Sequence, residues 1–172
     1  VDAHTKLPIH LASGGGFALK LERTFVTEVK LSAVPAGKGI PSFYKKYLEV
    51  DGLYIVSSDK VRDEALEKAY EIVSLMLAKR PDVKQYMVSK GCHVMIIGEH
   101  EEVCDLPEYA HICNTPENIA FWNKRARGFG GAPEDDFSAS CGEENVLAFP
   151  GDKYVGENIL IHEFAHLFHT IG

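Results

Sequence analysis

The sequence predicts an α+β fold, a sheet with packed helices. Three observations carry that reading: a β-rich first third, a long amphipathic helix followed by a short apolar strand, and an apolar helix near the C-terminal end. The composition, 45% hydrophobic and 25% charged, is that of a folded globular chain and excludes disordered and fibrous classes. The chain has 172 residues, no internal repeat and no dividing linker, so residues 1–172 are expected to form a single domain. A net charge of −7 sets the surface against a phosphate backbone, and no nucleic-acid partner is expected. No apolar stretch nears the roughly 20 residues that cross a bilayer, so no membrane span is expected either.

In chain order, a Ser13-Gly14-Gly15-Gly16 turn comes first. Phe17, Leu19 and Leu21 then alternate with Ala18, Lys20 and Glu22, and residues 24–31 are rich in β-branched side chains, which favours extended structure. Asp51-Gly52 marks a turn, and residues 53–56 read as a buried strand. Between Asp59 and Lys79, apolar residues recur every three or four positions at Val61, Ala65, Leu66, Ala69, Ile72, Val73, Met76 and Leu77, the stripe of a helix covering a sheet. Pro81 ends it, residues 81–90 give a shorter helix stopped at Gly91, and residues 93–97 give the next strand.

Thr115, Pro116 and Glu117 form a helix start, predicting a helix over residues 116–127. Lys124, Arg125 and Arg127 near its end either complement the helix dipole or offer Arg125 or Arg127 as a carboxylate anchor or active-site wall. Residues 128–136 read as loop, and residues 145–149 as a strand closed by Pro150-Gly151-Asp152. Cys92, Cys104, Cys113 and Cys141 lack zinc-finger spacing. Disulfides in an oxidising compartment are the favoured reading, with buried free thiols as the alternative. The expected pairs are Cys104 with Cys113 and Cys92 with Cys141. Together with the Val1 start, this points to a secreted, extracellular protein.

The chemistry concentrates in residues 156–169, where His162-Glu163-Phe164-Ala165-His166 forms His-Glu-x-x-His in an apolar helical setting. Composition alone would yield such a match about 0.03 times in a chain of this size. Residues four apart lie one helical turn apart on one face, so two imidazoles can converge on a metal ion. Glu163 then takes a proton from water as general base. The competing reading is a core helix whose polar groups bond one another, an expensive burial without a purpose. His169 lies roughly 10.5 Å of helical rise beyond His162, too far to share a metal held at about 2 Å. It also stands where the longer metzincin pattern needs glycine. His4, His10, His93, His100 and His111 have no paired spacing.

The motif with its apolar lead-in resembles the active helix of zincin metallopeptidases, in particular the gluzincin branch that includes anthrax lethal factor. Trp122-Asn123-Lys124-Arg125-Ala126-Arg127-Gly128, Cys141-Gly142-Glu143-Glu144-Asn145 and residues 156–166 resemble the family of fungal conidiation-specific proteins and their secreted relatives. Tyr44-Lys45-Lys46-Tyr47-Leu48 and Asp105-Leu106-Pro107-Glu108 fit it too. The resemblance implies the N-terminal (upper) subdomain of a zincin, with a twisted mixed sheet and packed helices preceding a C-terminal active-site helix. It implies Zn2+ on His162 and His166, Glu163 as catalytic base, and an edge strand that pairs with substrate. That edge is assigned to residues 145–149, so Asn145, Val146, Leu147, Arg125 and Arg127 become cleft-wall candidates. Gluzincins take a third ligand, a Glu, from a helix downstream of the motif. A missing segment or a second polypeptide is therefore expected to carry it, with this chain inactive alone. The expected activity is that of a secreted zinc metalloendopeptidase acting on peptides or proteins. The alternative is an inactive peptidase-derived binding or storage protein, or a lectin or toxin subunit, with a residual metal site.

Overall fold

The computed structural model describes residues 29–131 and 137–171. The Ser13–Gly16 turn, the alternating stretch at residues 17–22 and residues 24–28 of the extended run expected at 24–31 lie outside them; residues 29–31 are not in a strand. The chain builds β1 (Ser32–Ala33), β2 (Lys46–Val50), β3 (Leu53–Ser57), α1 (Asp63–Leu77), α2 (Pro81–Ser89) and β4 (His93–Ile97). Two 3-10 turns, Val103–Asp105 and Pro107–His111, lead into α3 (Pro116–Arg125), β5 (Ser138–Gly142), α4 (Glu143–Val146) and α5 (Ile159–Ile171). The five strands form one mixed sheet in sequence order. β1, β2 and β3 run antiparallel, and β4 and β5 join parallel to β3. The α+β class is as expected.

Asp51 and Gly52 close the β2–β3 hairpin, both with positive φ (47° and 100°), the geometry of a two-residue turn whose twist matches the strands. Strand alternation sends Leu48, Val50, Leu53, Ile55, Val94 and Ile96 to one face, under α1, α2 and α5. Ala65, Leu66, Ala69, Ile72, Val73 and Leu77 form the buried stripe of α1, and full burial of each larger side chain contributes about 1.5–3 kcal/mol. The opposite face carries Tyr47, Val56, Met95 and Ile97 under the 3-10 turns.

At the edge of this second layer Glu108 receives a hydrogen bond from the Tyr44 hydroxyl and lies 3.5 Å from His93 Nε2. Burial alone would raise the Glu108 carboxyl, but the neighbouring His93 ring and the Tyr44 hydroxyl outweigh it and hold it below its ordinary value.

Three expectations are corrected. The helix expected to reach Arg127 ends at Arg125, because Ala126 is extended (φ −129°, ψ 149°). Residues 145–149 are not a strand: Asn145 and Val146 close the short helix α4, Leu147 follows it, and Ala148 turns left-handed at φ 53°. The last strand is β5, whose Ser-Ala-Ser-Cys-Gly sequence has none of the large β-branched residues that announce a strand. Finally, Cys104 and Cys113 form a disulfide, but Cys92 and Cys141 are free and buried. Cys141 stands opposite Ile96, four residues along from Cys92, which is roughly 13 Å of strand where a disulfide tolerates about 7 Å between Cα atoms. Burial pushes the Cys92 thiol up to about 11 and raises that of Cys141 as well, so both are inert.

Peptide mapping without reduction should recover Cys104 joined to Cys113, with Cys92 and Cys141 alkylated only after unfolding; reduction should cost about 3 kcal/mol of stability for so short a loop. Because its folded value is lowered, Glu108 contributes stability that is present above the ordinary carboxyl range and lost as pH falls through the lowered value. Melting temperature against pH should therefore show a weaker acid limb in E108Q than in the parent.

Candidate metal centre

Helix α5 starts where Gly156 takes φ 89° and Asn158 caps the first turn, its Oδ1 accepting the Ile161 amide at 2.9 Å. Ile159, Leu160, Phe164 and Leu167 are its buried face, laid chiefly on β5. Leu167 is core, and Phe168 and Ile171 are partly buried against the same cluster. Fixing this face fixes the other: His162 and His166 emerge exposed one turn apart, with Glu163 half-buried beside them.

The His162 and His166 Nε2 atoms stand 3.0 Å apart. Two nitrogens held at about 2.05 Å by a tetrahedral zinc stand roughly 3.3 Å apart, so the pair fits such an ion. A Glu163 carboxylate oxygen joins them, all three ligand atoms lying within 4.8 Å of one another. Among the described residues this is the only such group of three or more His, Cys, Asp or Glu side chains, and His169, exposed on the next turn, is not in it. Burial raises the Glu163 carboxyl, and the neighbouring His162 and His166 pull it back only in part.

Residues 127–131 return antiparallel along the outer side of β5. The Gly142 and Ser140 amides donate to Arg127 O and Phe129 O at 2.8 and 2.7 Å, and the Gly131 amide donates to Ser138 O at 3.3 Å. This stretch, not residues 145–149, is the sheet edge beside the histidines. Alternation turns the Gly128 and Gly130 amides and carbonyls away from β5, and they have no hydrogen-bond partner among the described residues. Glycine is needed here: a Cβ on Gly130 would stand 2.0 Å from the Glu163 carbonyl oxygen, and one on Gly131 2.7 Å from the His166 carbonyl carbon.

A cleft of about 410 Å³ opens between this edge, the loop ahead of α5 and the helix itself. Arg125, Phe129, Tyr154, Glu157, His162 and Glu163 are among its lining residues. The two arginines separate here. Arg127 grips Glu144 with two nitrogens at 2.6 and 2.9 Å and donates to the carbonyls of Gly98 and Glu101, so it anchors a carboxylate of its own chain. Arg125 has no ion pair among the described residues and covers the Phe121 ring at 5.8 Å. Asn145 does not face the cleft as a strand residue; its amide is spent on the start of α5. Val146 is core, and Leu147 packs against it. Sequence reasoning missed the edge, Tyr154 and Glu157; the paired glycines at 130–131 were the signal for a close backbone approach.

No family model, curated protein or solved structure matches the chain. G130A should force the edge and α5 apart, lowering stability by about 1–3 kcal/mol and weakening metal binding, as checked by thermal melts and zinc titration.

Proposed function

We propose that this chain carries the metal-binding helix and substrate cleft of a secreted zinc-dependent endopeptidase. The observation that carries the reading is the convergence of His162 and His166 Nε2 at 3.0 Å beside a half-buried Glu163, at the foot of a sheet edge with unpaired backbone groups. The Cys104–Cys113 disulfide suits an oxidising compartment, and no described helix is long and apolar enough to cross a membrane.

Zinc held by His162 and His166 would supply Lewis acidity toward a scissile carbonyl and an acidified water. A third ligand would come from outside the described residues. An extended peptide adds to the edge by hydrogen-bonding the free Gly128 and Gly130 groups, which sets its main chain alongside α5. Phe129 and Ile159 shed water from one side of it. Glu163 accepts the proton of the attacking water on its carboxylate and returns it to the departing amide nitrogen. Its burial raises its proton affinity, which suits both halves of that task.

Titration should find one zinc per chain, lost in H162A and H166A and retained in E163Q. Zinc-loaded native protein, with any companion chain, should cleave a mixed peptide library, and E163Q should lower turnover at least 100-fold with zinc content unchanged. Stoichiometric zinc without any cleavage would favour the binding-protein alternative, and absence of zinc binding in the parent would end both readings.

A further inference from the structure

We infer that Asn145 is the positioning residue of this centre, a single buried amide that sets both the start of the His-bearing helix and the cleft wall facing it. The residue is 6% exposed, and its carboxamide makes three hydrogen bonds to residues 152–159. Oδ1 accepts the Ile159 amide at 2.7 Å; Nδ2 donates to Glu157 O at 3.0 Å and to Asp152 Oδ2 at 2.7 Å. Asp152 passes the constraint on, accepting the Tyr154 amide on its other oxygen at 3.1 Å. Tyr154 and Glu157 line the cleft, so its loop wall and the start of its helix answer to one side chain.

The helix start is where this matters. The first amides of a helix have no partner within it, and α5 divides them between two asparagines. Asn158 takes Ile161, but it belongs to the stretch of chain that is being positioned and fixes nothing relative to the sheet. Asn145 takes Ile159 from outside, three residues before His162. It is itself rooted in α4, which follows β5 directly. That root is stiff: the Glu143 carboxylate, 2% exposed, accepts the Arg62 and Glu99 amides at 2.9 Å each, and Arg127 holds Glu144. The amide dipole is matched end for end, its acceptor meeting an N–H and its donors meeting a carbonyl and a carboxylate. An aspartate there would keep the Ile159 bond but turn a second carboxylate oxygen toward Glu157 O and Asp152, both acceptors.

The inference deepens the proposed zinc site, and its test separates the two. In metal-free protein, N145A should speed amide hydrogen exchange at least tenfold over residues 157–166 while residues of α1 and β4 keep the parent rate. In cobalt-loaded protein, N145A should lower metal affinity about 10- to 100-fold and alter the visible ligand-field spectrum, which general loss of stability at equal folded fraction would not do. N145D should behave like N145A, and adding D152N, which restores a donor opposite the new carboxylate, should recover most of the exchange protection and the spectrum. If N145A does not fold, the N145D and N145D/D152N pair makes the same comparison. Unchanged exchange over residues 157–166, or an unchanged cobalt spectrum in a folded variant, would overturn the positioning role. Exchange that responds as described in a parent that binds no cobalt would leave the helix clamp standing and sink the zinc reading instead.

Discussion

The seating of α5 on the sheet edge is the constraint on which the rest depends. Residues 130–131 approach the backbone of α5 so closely that even a methyl group has no room. The contact is possible because the surfaces are stripped down: Ala139 and Cys141 on β5 and a pair of glycines beside it. Large side chains at those places would leave the helix core intact and still separate His162 and Glu163 from the edge. Closeness, rather than buried area, is what turns a covering helix into one wall of a cleft.

Polar burial elsewhere serves the same seating. Glu143, Arg127 and Asn145 are each more than nine-tenths buried, and each is matched by partners for its charge or dipole. Unpaired, any one would cost several kcal/mol; paired, they fix directions that apolar contacts leave loose. All three cluster around α4, at the end of β5, where the chain turns from sheet to active helix.

Much of this was readable in the sequence wherever periodicity speaks. The stripe from Ala65 to Leu77, the run His93–Ile97, the cap at Thr115 and the His-Glu-x-x-His spacing all declare themselves through apolar repetition or local stereochemistry. What stayed hidden is what depends on distant partners. β5 has a small-residue sequence because a helix presses on it, and no window along the chain contains that helix. Asn145, Val146 and Leu147 look extended in isolation, yet the environment of Glu143 and Arg62 winds them into a turn. Cys92 and Cys141 invited pairing by parity, and only the strand register keeps them apart.

Helix α3 has no buried residue, and Ile119 and Phe121 lie largely in solvent. It leads directly into the edge at residues 127–131, so its motions would be expected to travel there. Arg127 interrupts that transmission along the backbone. Fastened to the Gly98 and Glu101 carbonyls and to Glu144, it is a fixed node between a helix of low local stability and an edge that must keep its register. What α3 still passes to the edge goes through one side chain, Trp122, whose ring meets Phe129 edge to face at 5.2 Å, so the chain carries a thinly covered surface helix beside its most tightly specified backbone.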